Sequence, residues 1–523
     1  MWTRRFAGWA AVAATAVALV GPAAPAAQAA GPHREWTISW QPCAADPTAE
    51  CGTLSLPVDW DEPDGERFTL ALARRAATDP AARVGSLVFG PGGPGDSGVQ
   101  RVLTGMHRFS DDLRRRFDIV SFDPRGVGGS NPVRCATDLL AAQPHVIADQ
   151  AQFAATIENN ALLRADCRAR TGPLFDHVDT RSAARDLDAV RAALGESRLT
   201  FHGSSYGTLL GLQYAELFPH RVRAMVLESV VDHSLGTRSF LDTQAVAAQD
   251  SFDEFVAWCA AATRCALHGQ DVREVWAGLR ARAERGDLID PDRPGTRLTP
   301  YLLSRLAQRA LYGPDWPGLA DDIATMATAP AAAVAPASPA SPAAAVAPAS
   351  PASPAAAVAP VASAATAAHP AAPVTGAEDQ ATPYPFAVFC QDWSLPVRDH
   401  REYAKHLRRL TRLAPDLRYP QAVFAVSTCL GTPTVANPQH RLKVRTDVPL
   451  LLAATRHDPA SGYEWATNVA RQIGRHGVLV TYEGSGHGSY TTSPCMEAVV
   501  DRYLVGGGAP AWGTRCPAVD LTS

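Results

Sequence analysis

Gly203-Ser-Ser205-Tyr-Gly207 sets one serine between two glycines, with a short apolar run before it and a helical pattern after it. A serine at a sharp strand-to-helix turn must adopt strained backbone angles, and glycines two positions away let the strand and helix come close. Upstream, residues 199–202 read as a strand. Downstream, Leu210, Tyr214 and Leu217 recur at helical spacing until Pro219 stops the pattern, and Gly211 permits close packing on a sheet. Ser205 Oγ is therefore expected at a helix N-terminus, where a backbone N–H and the helix dipole favour developing negative charge. Gly-x-Ser-x-Gly also arises by composition alone, so its partners elsewhere in the chain decide its meaning.

The surrounding sequence alternates strands and helices. Runs 37–41, 51–58 and 67–76 read as an antiparallel start to a sheet, with a turn at 61–65. Apolar strands over 85–89, 117–123 and 222–232, and an amphipathic helix over 181–194 before the serine's strand, predict a mostly parallel sheet. After residue 232 the next convincing strands are 448–454 and 477–482. Helical patterns such as 251–262 and 300–312 dominate between them. The expected fold class is α/β, with a large, mainly helical cap inserted after the sixth strand. The expected boundaries are 36–232 and 441–523 for the core and 233–440 for the cap.

Within that cap the run Pro330-Ala-Ala-Ala-Val-Ala-Pro-Ala-Ser-Pro-Ala-Ser341 is repeated from Pro342 and again, degraded, from Pro354. Proline and alanine without a bulky apolar face cannot build a packed core, so 329–374 reads as a solvated low-complexity insert.

Two further residues stand in loops directly after predicted strands. Asp458 follows 448–454, and His487, between Gly486 and Gly488, follows 477–482. Ser205, Asp458 and His487 thus occur in the chain order and placement of an α/β-hydrolase triad. In such a set the histidine takes the proton of a weakly nucleophilic serine, and the carboxylate holds the imidazole tautomer and stabilises its protonated form. Asp232 also follows a strand and competes for the acid role. His202 is read as packed in its strand, and His457 as shaping the loop of Asp458. The glycine-rich segment 90–98 lacks the Gly-Lys-Ser/Thr ending of a phosphate loop. Its expected use is to offer the Gly93 N–H, with that of Tyr206, to an oxyanion. Asp123 and Arg125 read as loop-ordering ion-pair candidates.

Taken together, Gly-Gly-Pro-Gly-x-Ser-Gly over 92–98, Phe-Asp-Pro-Arg-Gly-x-Gly-x-Ser over 122–130, the elbow, Val388-Phe-Cys-Gln-Asp392, Asp458-Pro459 and Gly486-His-Gly488 resemble the secreted tripeptidyl aminopeptidases of actinobacteria, relatives of proline iminopeptidase. The resemblance runs from about Trp36 to Pro517, outside the Pro/Ala repeat. It implies an exopeptidase that releases short peptides from free N-termini through an acyl-enzyme, with no metal or other cofactor. It maps the nucleophile, acid and base to Ser205, Asp458 and His487. Cys429-Leu-Gly-Thr-Pro433 lacks the tryptophan of the family's Cys-x-x-Trp-Pro, which bears on substrate subsites, and Ala460-Ser461 replaces the usual Thr-Pro after Asp458-Pro459. An aminopeptidase needs carboxylates for the substrate ammonium. Glu228 and Asp392 are candidates by position.

The N-terminal stretch carries Arg4-Arg5, an apolar run over 6–20 and Ala27-Gln-Ala29, which reads as a signal peptide over 1–29. Gly21, Pro22 and Pro25 interrupt the run too early for a membrane span, and Phe6 stands where a twin-arginine signal expects a spacer residue. Ten cysteines without Cys-x-x-Cys or metal-ligand spacing point to disulfides and export, outside the cell or on its wall. Pairing of neighbours along the chain is the simplest connectivity. A formal charge of −4 argues against a nucleic-acid partner, and no integral membrane segment is expected after signal removal. Two rival readings remain: a carboxylesterase or lipase-like hydrolase on the same fold, and a hydrolase-fold binding protein without catalysis.

Overall fold

The computed structural model describes residues 36–330 and 381–519, except 292, 294 and 434. The predicted signal peptide and most of the Pro/Ala insert lie outside the described residues. Eight strands carry the fold: β1 (Glu50–Pro57), β2 (Arg67–Arg75), β3 (Gly85–Gly90), β4 (Phe117–Phe122), β5 (Leu199–Ser204), β6 (Val222–Glu228), β7 (Leu450–His457) and β8 (Gly477–Ser485). They form one sheet in the order β1-β2-β4-β3-β5-β6-β7-β8, with the short segments Gln41–Pro42 and Arg515–Cys516 at its two edges. β1 and β2 run antiparallel, β2 meets β4 antiparallel, and all pairs from β4 to β8 are parallel.

Both faces of the parallel strands are buried, as that topology requires. Side chains alternate between two cores. Leu87, Phe89, Ile119, Val226, Leu451 and Val480 face one, while Val88, Val120, Phe201, Leu227 and Leu452 face the other. Helices α1 (Thr180–Ala193), α2 (Tyr206–Leu217) and α9 (Tyr463–Ile473) add Leu187, Leu209 and Val469 to the second core. The last helix, α10 (Pro494–Gly506), adds Val500 and Tyr503 to the first. Asp179 starts α1 by accepting the Ser182 N–H at 2.9 Å, an N-cap bond of the kind that stabilises a helix by about 1 kcal/mol.

Between β6 and β7 lie α3 (Thr237–Ala261), α4 (Val272–Arg285), α5 (Pro300–Tyr312), α6 (Trp316–Thr328), α7 (Phe386–Asp392) and α8 (Gln421–Cys429), with one further helix at His400–Leu413. Phe252, Trp276, Leu303, Leu319 and Ile323 of α3 to α6 form a core of their own. Phe389 of α7 and Val423 and Val426 of α8 pack instead into the sheet's core. The inserted segment is thus half separate and half fused to the body.

All ten cysteines pair with their neighbours along the chain: Cys43–Cys51, Cys135–Cys167, Cys259–Cys265, Cys390–Cys429 and Cys495–Cys516. Such a set is typical of chains that mature in an oxidising compartment. No helix among the described residues is long and apolar enough to cross a membrane.

Two strand expectations shift. The run 37–41 contributes only its last residue to the sheet, and β6 ends at Glu228 rather than 232. There Ser229 turns to φ 57° and donates its N–H to Ala453 O at 3.0 Å, so the chain leaves the sheet at the carboxyl end of β6.

Candidate active site

The carboxyl ends of β5, β6 and β7 lie side by side, with Ser204 and Ala453 both opposite Glu228. In an open parallel sheet this edge is where ligands bind. Ser205 occupies the turn from β5 to α2 with φ 53° and ψ −120°, a conformation that costs a non-glycine residue about 1–3 kcal/mol. Its N–H donates to Glu228 O at 2.8 Å, and its carbonyl accepts the Thr208 N–H at 2.8 Å and the Thr208 hydroxyl at 2.6 Å. Glycine is required nearby because a Cβ on Gly207 would lie 2.2 Å from Gly90 O, and one on Gly203 would lie 2.5 Å from Gly207 O. These contacts press the elbow against the glycine-rich loop after β3.

Asp458 and His487 leave the ends of β7 and β8. His487 Nδ1 lies 2.9 Å and 3.0 Å from the two carboxylate oxygens of Asp458. Asp458 is buried, and its Oδ1 also accepts the N–H groups of Ala460 and Ser461 at 2.8 and 2.9 Å. A carboxylate held in this way fixes Nδ1 as the protonated nitrogen and frees Nε2 to act as a base. Burial alone would lower the His487 pKa, but the charge and hydrogen bond of Asp458, with the charges of Glu228 and Asp96, outweigh it and raise the value. Among the described residues Ser205 Oγ makes no hydrogen bond to His487; in resting hydrolases this contact is often long and tightens with substrate.

The competing residues are committed elsewhere. His457 Nδ1 meets Asp250 at 2.8 Å, and its carbonyl accepts Gly486 N–H at 3.2 Å, so it shapes the loop. His202 is buried between the rings of Phe89 and Tyr490. Asp232 accepts from Ser234 and Gln472 and from Asn468.

Gly93 has φ 104° and a cis peptide bond to Pro94, while Tyr206 opens α2, where N–H groups have no intrahelical acceptor. The loop that carries Gly93 is stapled by buried Asp123, which accepts from Ser97 Oγ at 2.6 Å, Val99 N at 3.0 Å and Gly129 N at 2.7 Å. Arg125 does not pair with Asp123; its partner is Asp186, 2.7 Å away and equally buried.

Glu228 and Asp392, the candidates for the substrate ammonium, both have partners inside the protein. Glu228 Oε1 accepts the N–H groups of Ser489 and Tyr490 at 2.6 and 2.7 Å, and Oε2 lies 3.4 Å from His202 Nε2. Asp392 accepts Thr180 N–H and Asn437 Nδ2, both at 2.9 Å, the Thr180 hydroxyl at 2.5 Å and the Tyr206 hydroxyl at 2.6 Å. The Asp392 carboxylate has filled its lone pairs in this way and orders structure, whereas Glu228 Oε2 accepts no hydrogen bond among the described residues.

Tyr312, at the end of α5, was not foreseen. Its carbonyl accepts the His487 N–H at 2.7 Å, and its ring lies 4.8 Å from the imidazole. Nothing in its local sequence marks it, since it arrives from the inserted segment.

Residues 85–299 match the family described as alpha/beta hydrolase fold, and residues 420–516 that described as TAP-like protein. Serine protease Hip1 of Mycobacterium tuberculosis is 32% identical over 97% of this chain and 97% of its own length. The chain belongs to the TAP-like α/β-hydrolase family. Other relatives of this TAP-like hydrolase include tripeptidyl aminopeptidase of Streptomyces coelicolor, 29% identical over 92% of this chain and 86% of the other. Carboxylesterase B of Mycobacterium tuberculosis is 33% identical over 90% and 86%. The TAP-like chain is accordingly a serine hydrolase of a peptidase-bearing family.

Proposed function

We propose that this TAP-like hydrolase is a secreted serine exopeptidase that acts on peptides with free N-termini, with Ser205 as nucleophile, His487 as base and Asp458 as the orienting acid. The observation that carries the reading is the Asp458–His487 pair standing at the same sheet edge as the strained Ser205 elbow. Ser205 Oγ attacks the scissile carbonyl as His487 Nε2 takes its proton. The imidazolium is stabilised by Asp458 and returns the proton to the departing amine, leaving an acyl-enzyme that water hydrolyses by the reverse sequence. The N–H groups of Gly93 and Tyr206 receive the oxyanion.

The inserted helices act as a cap over 233–440, one of which brings Tyr312 against His487. The release of tripeptides is the finer form of the proposal, supported by the resemblance and by the name of the Streptomyces relative. Residues 1–29 serve as the signal peptide that brings the chain to an extracellular or cell-wall location.

A carboxylesterase is the second reading, favoured by the relative of that name. Hydrolysis of a tripeptide anilide with a free amine, its N-blocked twin and a short nitrophenyl ester separates the two, with Ser205→Ala as control. Strong preference for the free amine supports the exopeptidase. Turnover of the ester alone, lost in Ser205→Ala, supports the esterase. Failure of a fluorophosphonate to label Ser205 would sink both in favour of a binding protein.

A further inference from the structure

Between the helix Gln150–Thr171, α7 and the turn after α8 lies a cavity of about 420 Å³. None of Ser205, Asp458 and His487 lines it. Its volume falls within the roughly 300–1,000 Å³ of small-molecule sites, which combine apolar walls with a few placed polar groups. Leu163, Phe175, Tyr384, Ala387 and Pro433 supply the apolar wall. Cys167 and Cys390 also line it, and their bridges to Cys135 and Cys429 tie the long helix and α7 to their neighbours. The walls are thereby held against the relaxation by which a void shrinks. Thr432 stands where the resembled family's Cys-x-x-Trp-Pro has its tryptophan, so the lining carries a small hydroxyl in place of a ring.

Several polar atoms on this lining lack partners. Arg164 donates through Nη2 to Gly431 O at 3.0 Å, but its Nη1 is buried and unpaired among the described residues. Gln391 Nε2 donates to Phe175 O, which assigns the amide and leaves Oε1 a buried acceptor without a donor. Thr432 Oγ1 is in the same state. Thr428 is 5% exposed, and its Oγ1 makes no hydrogen bond; the neighbouring Tyr384 hydroxyl donates to Gln143 Oε1 instead, at 3.3 Å. Buried polar groups without partners are rare and costly, and here they gather around one space.

The charge decides what suits that space. Arg168, also on the lining, is spent on Asp176 at 2.7 Å. Arg164 has no carboxylate to offset its burial, which lowers its pKa. A partly desolvated guanidinium calls for an anion, and one guanidinium among apolar walls suits a single carboxylate better than a phosphate. The free Oε1 of Gln391 calls in addition for an N–H or O–H donor.

We infer that this cavity binds the carboxylate of an N-acylated apolar amino acid, the chemistry shared by free acyl amino acids and the C-terminal residue of a peptide. Arg164 takes the carboxylate, Gln391 the amide N–H, and the apolar wall the side chain. The inference is independent of the reaction at Ser205. The two sites nevertheless share α7, because Asp392, next to Gln391, accepts the Tyr206 hydroxyl at 2.6 Å.

Calorimetric titration with N-acetyl-L-phenylalanine tests this on the Ser205→Ala chain, which cannot turn a probe over, with N-acetyl-L-phenylalaninamide as the uncharged twin. The acid is expected to bind, and the amide to bind roughly 10- to 100-fold more weakly, as for a lost hydrogen bond to a charged group. Arg164→Gln is expected to weaken the acid by the same factor and to leave the amide unchanged. Thr432→Trp, which fills the space, is expected to abolish the binding of both. Near-ultraviolet circular dichroism matching the parent controls for folding, and where Thr432→Trp fails that control, Arg164→Gln decides alone. An N-acetyl peptide ending in phenylalanine separates the two sources: tighter binding than the acyl amino acid assigns peptide C-termini, and equal or weaker binding the free acid. The inference is overturned if acid and amide bind alike, or if binding survives both variants, as it would at the Ser205 site. It is equally overturned if the acid does not bind at millimolar concentration, which would make the cavity a water-filled gap.

Discussion

Glu228 Oε1 accepts the Ser489 N–H at 2.6 Å, joining the end of β6 to the loop that carries His487. The main chain of the same residue accepts from Ser205 N at 2.8 Å, so one residue braces both nucleophile and base.

Replacing this carboxylate should disturb both without touching substrate selectivity. Burial alone would raise the Glu228 pKa, yet His202 and the N–H groups of Tyr490 and Ser489 hold it down at about 2. Because the folded value lies below the unfolded one, near 4.5, the carboxylate contributes stability that is full above about pH 4.5 and lost as pH falls toward 2. Glu228→Gln is expected to lower the melting temperature at pH 6, with the gap closing on acidification. A scan of melting temperature against pH for both chains checks this. The kcat/KM of the variant should fall by the same factor on free-amine and N-blocked substrates; a selective effect on the free amine would restore Glu228 as an ammonium ligand.

Asp392 should behave in the opposite sense. Burial and the charge of Asp179 push its pKa up to about 7, against the hydrogen bonds from Thr180 and Tyr206 that favour the ionised form. A folded pKa raised above the ordinary 3.8 gives stability that is complete below pH 3.8 and lost as pH rises through about 7. Asp392→Asn is therefore expected to lose this slope, so that wild type loses ground relative to the variant between pH 4 and 7. Denaturant melts at pH 4.5 and 7.5 measure the difference.

Arg125 and Asp186 are both fully buried and joined by two hydrogen bonds of 2.7 Å. Arg125 also donates to Val58 O at 2.9 Å and His177 O at 2.8 Å. Arg125→Met would strand a buried carboxylate and is expected to cost about 3–5 kcal/mol in urea unfolding. The double variant Arg125→Met/Asp186→Leu should recover much of that loss. A single variant within about 1 kcal/mol of wild type would mean that the pair does not order the loop.

Deletion of 329–374 should leave folding and activity intact, since its proline and alanine repeats have no bulky apolar face to add to a core. Equal melting temperature and equal turnover of the shortened chain are the expected result, and loss of either would give the insert a structural role.

The elements themselves were legible from local pattern. The helix expected at 300–312 is observed at Pro300–Tyr312, and that at 181–194 at Thr180–Ala193. Asp458 and His487 lie just beyond β7 and β8, because hydrophobic period and glycine placement act within a few residues of the chain. Neighbour pairing of the cysteines was readable for a similar reason, as the simplest closure of short loops.

Partnership across the fold was not legible. Glu228 was selected for its place at a strand end, but its partners Ser489 and Tyr490 come from more than 250 residues away. Asp392 meets Thr180 and Tyr206, and Tyr312 reaches His487, across comparable gaps. The sequence by itself determined which residues have the chemistry and which turns present them, because backbone strain, capping and periodicity are local. Only the tertiary structure decided which protein donors each carboxylate meets. That outcome depends on strand register and on the inserted helices, whose contacts no local pattern encodes.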